Sequence, residues 1–323
     1  MWNMGSSLRL VLRWQIATGL VLSFHYKQSF DYLLIYMRDI ISLFVGAELR
    51  YSHANRASLF IFLLFIHVMR RIYYRRFFKQ EVWKSRIVLL LATIRTRFIR
   101  YVLPWRQMSY WGATVIINLA SVVPIIGPDL VIFIWRRYVV VKYTLVRFYS
   151  LHFLLPFVVL VIVLVHIEIL HKTSSGSPVI AYNRVNFFFL YFVKDFLFWL
   201  FLWFTMYFIV SIFCNRLGDV ENFIAANPLV TPLHIIPEWY FLFAYAILRC
   251  IPNKTVRVLG LLFSILLPIV FSISFSIKYA INLTYISLSF LLLTFLRRSV
   301  VEWPYVVFAQ LTSIVYFLNI FLI

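Results

Sequence analysis

From Leu151 to Leu170 the chain reads LHFLLPFVVLVIVLVHIEIL, twenty residues with one carboxylate, Glu168, and no Lys or Arg. A bilayer core needs about 20 such residues for one helical crossing. Lipid offers no hydrogen bonds, so a crossing segment must satisfy its own backbone, and a helix does so. This run therefore predicts a transmembrane helix, and the rest of the chain repeats the pattern.

Eight spans are expected, at about 7–26, 50–74, 86–103, 145–171, 193–214, 257–278, 280–296 and 304–322. The fold class is an all-α membrane protein with eight transmembrane helices. Composition agrees: 63% of the 323 residues are hydrophobic, 13% are charged and mean hydropathy is +0.90. A soluble domain has about 45–50% apolar and 25% charged residues. Two connections are too broken by Pro and polar residues to cross. One, at 104–140, is expected to form short amphipathic helices on a membrane surface. The other, at 215–256, is likewise expected to carry amphipathic surface helices. The start shows no cleavable signal pattern, and Cys214 and Cys250 imply no disulfide framework. The basic residues are scattered through apolar helices rather than gathered into a face, which argues against a nucleic-acid partner.

Two spans carry histidines at one spacing. His53 and His67 are fourteen apart, and so are His152 and His166. Fourteen helical residues are about 3.9 turns, so both rings of a pair face nearly the same way, roughly 21 Å apart along the axis. That separation rules out one shared metal ion. With the second and fourth spans parallel, His53 stands level with His152 and His67 with His166. Each level then offers two imidazoles to the faces of one planar cofactor, a closed haem arrangement that transfers electrons rather than binding oxygen. Zinc wants three or four clustered ligands, and no extra Cys or carboxylate accompanies either pair. Arg50 and Arg70 flank the second span and suit haem propionates through charge-assisted bonds. A polytopic transporter or proton channel using Glu238 and the histidines as relays is the alternative from another class, and it predicts no haem.

The segments WNMGS (2–6), RYSHAN (50–55), YVLPW (101–105), WGATVI (111–116), LHFLLPF (151–157), NPLVTPLHIIPEWYFLFAYAILRCIPNK (227–254) and VEWPY (301–305) carry a resemblance over nearly the whole chain. They resemble cytochrome b, the membrane core of the cytochrome bc complexes. The resemblance implies a four-helix di-haem bundle in residues 1–190 and a C-terminal membrane domain in 191–323 with the PEWY loop. It implies that His53 and His152 hold the low-potential haem iron and His67 and His166 the high-potential one. It also implies ubiquinol and ubiquinone as substrates. The plastoquinol-oxidising relatives split these spans into two chains and place one more residue between the histidines of the fourth span.

Glu238 lies in an apolar loop, where a poorly solvated carboxylate can accept a hydroquinone proton and pass it to water. The resemblance makes it the proton acceptor of quinol oxidation, with Tyr245 and Tyr101 as nearby aromatics and Gly112 in the adjacent surface helix. Trp239 reads as an interfacial anchor. At the opposite side, His171, Lys194 and Asp195 border the fourth and fifth spans. The resemblance places them at the quinone-reduction site, with Ser6 close by. His171 follows His166 by five residues and so points elsewhere. The implied partners are a Rieske iron–sulfur protein, a cytochrome c-type subunit, the other complex III subunits, a second copy of the complex and lipids. The implied location is the mitochondrial inner membrane, as a multi-pass and organelle-encoded chain.

One departure is systematic. Twelve arginines stand where the resembling family has glycine: Arg9, Arg56, Arg71, Arg75, Arg86, Arg100, Arg106, Arg136, Arg137, Arg257, Arg297 and Arg298. Arg at a helix centre costs about 2.5–3.5 kcal/mol on insertion scales, and drift from glycine should favour Ala or Ser. The pattern is the one expected of a chain whose AGA and AGG codons are read as glycine. Adding these twelve to the 8 glycines gives 20, and the formal charge falls from +20 to +8.

Overall fold

A computed structural model of the chain describes residues 3–27, 30–74, 76–136, 139–173, 187–270, 279–299 and 302–321. Trp2, Arg75, Arg137, Val301 and the polar turn at 174–178 lie outside them. Among the described residues the regular structure is helical: α1 Met4–His25, α2 Phe30–Ser42, α3 Phe44–Tyr73, α4 Gln80–Val102, α5 Gln107–Asn118, α6 Gly127–Trp135, α7 Lys142–Thr173, α8 Phe192–Ile212, α9 Leu242–Cys250, α10 Lys254–Val270, α11 Tyr279–Arg298 and α12 Tyr305–Phe321.

The eight expected spans overlap α1, α3, α4, α7, α8 and α10–α12, with residues 271–278 of the sixth outside the described residues. Three segments are long and apolar enough to cross a membrane by those criteria alone: Phe44–Tyr73, Lys142–Lys172 and Phe188–Ile212. Others fall short for visible reasons. α4 carries Glu81, Lys84, Arg86, Arg95, Arg97 and Arg100, and α10 has 17 residues. On α7, Leu154, Val158, Val161, Leu164 and Val165 are exposed, and on α8 so are Phe196, Phe201, Phe204 and Phe208. Apolar faces of this extent suit lipid rather than water.

The chain forms two compact units. One comprises residues 1–105 and 145–219, the other 106–144 and 220–323. The assignment of α8 to the first unit has a packing reason. Leu202 and Met206 of α8 bury against Met4 and Val11 of α1 and Leu59 and Leu63 of α3, which ties α8 to the first unit. In that unit Leu12, Leu89 and Val159, from α1, α4 and α7, form a second apolar cluster with Phe60 of α3 packed on it. Each of these residues lies midway along its helix between the two histidine levels.

The second unit is built on α9. Leu242, Ala244, Ala246 and Ile247 are almost wholly inaccessible. Phe243 meets Phe290 of α11 at 4.6 Å between ring centres and Tyr316 of α12 at 6.3 Å. Arg249 donates to the carbonyls of Leu296 (3.1 Å) and Ser299 (3.2 Å), closing the C-terminal end of α11. A cation there meets orphan carbonyls and the negative end of the helix dipole.

Candidate functional site

In the first unit the fourteen-residue spacing takes three-dimensional form. His53 and His152 line one cavity of about 220 Å³ and lie close enough to act on each other electrostatically. His67 and His166 are likewise close enough to act on each other electrostatically. Pro156, one turn beyond His152 on α7, also lines the cavity. Proline cannot donate to the carbonyl four residues back, here that of His152.

Three of the four rings have their Nδ1 engaged. The Thr18 hydroxyl donates to the Trp14 carbonyl (2.8 Å) and is hydrogen-bonded to His53 Nδ1 at 2.9 Å. Ser85 donates to the Val82 carbonyl (3.0 Å) and is hydrogen-bonded to His166 Nδ1 at 2.7 Å; with the hydroxyl protons on those carbonyls, the rings are the donors. His152 Nδ1 donates to the Thr96 carbonyl at 3.3 Å. A proton on Nδ1 leaves a lone pair on Nε2, and such outer partners fix both the tautomer and the orientation of a metal-binding ring. No motif marks Thr18, Ser85 or Thr96 in the sequence. Their one signal is helical phase: Thr18 precedes Gly19, and Ser85 precedes Arg86.

α1 comes close to two of the histidines through glycine. A methyl group at Gly19 would stand 3.1 Å from His53 Cε1, and one at Gly5 would stand 3.8 Å from His67 Cε1. Gly5 and Gly19 are themselves fourteen apart, so α1 repeats the spacing of α3 and α7.

The His53–His152 cavity has apolar walls from Leu12, Ile16, Phe60 and Val159, and three cations, Arg50, Arg97 and Arg100. A b-type haem has matching chemistry: an apolar macrocycle, an iron with two axial positions and two carboxylates. The residues present fit that group. Among the described residues no three His, Cys, Asp or Glu gather to hold a bare metal ion. Arg70 sits near the opposite end of α3, its guanidinium 5.7 Å from the Tyr74 ring centre.

The remaining predicted residues of this unit have separate surroundings. Ser6 donates to the Asn3 carbonyl at 2.9 Å. His171 is exposed near the end of α7. Lys194 and Asp195 lie in the first turn of α8, with the Lys194 ammonium 6.0 Å from the Tyr191 ring centre. Tyr101 is half-buried in the last turn of α4.

In the second unit Pro237 is buried, Glu238 is half-buried, and residues Trp239–Phe241 form one turn of 3₁₀ helix leading into α9. The Tyr240 hydroxyl donates to the Glu238 carboxylate, and Tyr240 is 1% exposed. Tyr245 is buried on α9. The irregular segment before this turn is bound to α5. Gln107 accepts from the Asn227 N–H (2.8 Å) and donates to the Val230 carbonyl (3.0 Å), and the Trp111 indole donates to the Asn227 carbonyl (3.3 Å). Gly112 is buried on the same helix.

Fold and site together define an all-helical protein of membrane type that presents two levels of opposed imidazoles. A family model described as Cytochrome b/b6/petB matches residues 1–174, and one described as Cytochrome b(C-terminal)/b6/petD matches residues 225–317. The chain belongs to the cytochrome b family. It is also similar to a solved structure titled "Hyperthermophilic respiratory Complex III", with a TM-score of 0.90 and 25% identity over 99% of this chain and 89% of that one.

Proposed function

We propose that this chain is the quinol-oxidising, electron-transferring subunit of a respiratory complex III. In this reading eight helices cross the membrane, and the first, second, third and fourth spans form a bundle for two b-type haems. His53 and His152 hold the low-potential haem, and His67 and His166 the high-potential one. Bound there, the haem pair carries single electrons between a quinol-oxidising and a quinone-reducing face of the membrane. The observation that supports it best is the pairing of α3 and α7 imidazoles at two levels, with Nδ1 hydrogen-bonded at three of the four.

The protein's own groups supply binding, orientation and proton handling. Arg50 and Arg70 pair with haem propionates. The layer of Leu12, Phe60, Leu89 and Val159 keeps the space between the levels dry. Quinol oxidation releases two electrons and two protons. Glu238 accepts a proton, and Tyr240 holds its carboxylate in place. Tyr245 and Tyr101 shape the quinol pocket. At the other face His171, Lys194, Asp195 and Ser6 bind quinone and deliver protons to it, which makes the cycle proton-translocating. One electron per quinol leaves to a Rieske iron–sulfur protein and reaches a cytochrome c-type subunit. The complex is a homodimer with further subunits and lipids in the mitochondrial inner membrane, and the chain is encoded in the organelle.

The test is haem content. The subunit purified from its membrane should carry two haems per chain with a b-type reduced-minus-oxidised spectrum. His53→Ala and His67→Ala should each remove one of the two. A spectrum without a b-type band rejects the reading.

A further inference from the structure

Arg86 lies on α4 and is 3% exposed. Its Nε and Nη1 have no hydrogen-bond partner, and its guanidinium lies 5.4 Å from the Trp83 ring centre. The charged side chain acting on it is another cation, Arg71, and it faces the imidazoles of both His67 and His166. Buried charges are ordinarily paired or bound to a ligand, because an uncompensated one is strongly unfavourable.

The surroundings say what the position is suited to. α1 meets the histidines through bare backbone, Gly5 towards His67 and Gly19 towards His53. α4 meets the same two levels with Arg86 and Arg100, the latter acting on His53 and His152. The spacing is fourteen in both helices. One wall thus offers no side chain and the other offers the longest cation, at matching depths.

An independent observation comes from the second unit. Arg136 caps α6 with φ 64° and ψ 1°, in the left-handed region. That helix-ending conformation is the one glycine takes at no steric cost and side chains take rarely. Arg136 is exposed, with its guanidinium 4.5 Å from the Tyr143 ring centre, a side-chain contact that does not itself require a left-handed backbone. Arg249, by contrast, uses its guanidinium fully on two carbonyls.

We infer that positions 86 and 136 carry glycine in the protein itself, because their AGA or AGG codons are translated as glycine. A bound anion could pair with Arg86 but leaves Arg136 unexplained; one decoding rule accounts for both. Glycine at 86 clears the α4 wall beside His67 and His166. That consequence rests on the haem reading above, whereas residue identity does not.

The experiment is peptide mass spectrometry on the subunit purified from its own membrane, with the gene sequenced alongside. Chymotryptic fragments spanning Ser85 to Ile87, and the fragment continuing from Trp135, should read glycine at 86 and 136. Arg249, from a CGN codon, should read arginine in the same digest. Arginine at 86 or 136 in those spectra, or a CGN codon at either position, overturns the inference. The haem spectrum is read separately, so either result can fail without the other.

Discussion

A serine and two threonines govern the histidines more closely than any motif does. Ser85 gives His166 its Nδ1 partner through a hydroxyl that also reaches the Val82 carbonyl, and with its proton on that carbonyl the imidazole is the donor. Loss of such an outer partner typically costs 10–100-fold in metal affinity or activity. Ser85→Ala should therefore weaken haem retention at the His67–His166 level by about that factor and shift its midpoint potential, with the other level unchanged; a potentiometric titration resolves the two. Both midpoints staying at their original values would show that Ser85 is a bystander. Glycines 5 and 19 make a paired prediction. Ala gains about 0.5–1 kcal/mol over Gly in a helix, while overpacking costs about 1–3 kcal/mol. Gly5→Ala, at 3.8 Å from its neighbour, should leave thermal stability equal or slightly raised; Gly19→Ala, at 3.1 Å from His53, should lower it and disturb that ring. Thermal unfolding of the two purified variants, followed by their absorption spectra, checks the contrast. The histidine pairs were legible in the sequence because periodicity along one helix fixes which residues share a face. Thr18, Ser85 and Thr96 were not, because their role depends on how neighbouring helices are rotated about their axes.

The elements that hold the Glu238 loop are bound by side chains reaching backbone. Gln107 is 4% exposed and serves both the Asn227 N–H and the Val230 carbonyl. Its removal orphans two backbone groups, each costing about 1–3 kcal/mol if left unsatisfied. Gln107→Ala should release the irregular segment near 227–233 from α5 and raise its cleavage rate in limited proteolysis several-fold. An unchanged digestion pattern would mean that Trp111 suffices to hold the segment. At this scale the sequence predicted the long helices well and the short ones unevenly. α5 and α6 were expected in the 104–140 stretch, because Pro, Gly and polar breaks punctuate it. α2 was not: it is 13 residues long and carries Asp31, Arg38 and Asp39, so a search for spans passes over it. α3 begins at Phe44, six residues before the expected start, since Glu48 and Arg50 tolerate a helix but end an apolar run. The side of α8 that meets α1 and α3 has no sequence signal of its own, because α8 is apolar nearly all round.

Across the whole molecule the two units hold different parts of the proposed machinery. The first holds the paired imidazoles and the cavity between His53 and His152; the second holds Glu238, Tyr240 and the clamp on their loop. The proposed function therefore predicts that electron carriage and proton acceptance separate by variant. Glu238→Gln keeps the loop's shape and a hydrogen-bonding end group but removes the base. A positioned general base contributes roughly 10²–10⁴-fold to rate. The variant complex should therefore oxidise quinol about 10²-fold more slowly, with haem content and both midpoint potentials unchanged. Tyr240→Phe removes the hydroxyl that orients the carboxylate and should give a smaller loss in the same assay. The order of effects carries the argument. A Glu238→Gln complex with full turnover would remove Glu238 from proton transfer while leaving the histidine assignment intact. A variant that loses its haem bands would instead show that the loop is needed for assembly. Slow turnover with intact spectra is the outcome that assigns the two units their separate tasks.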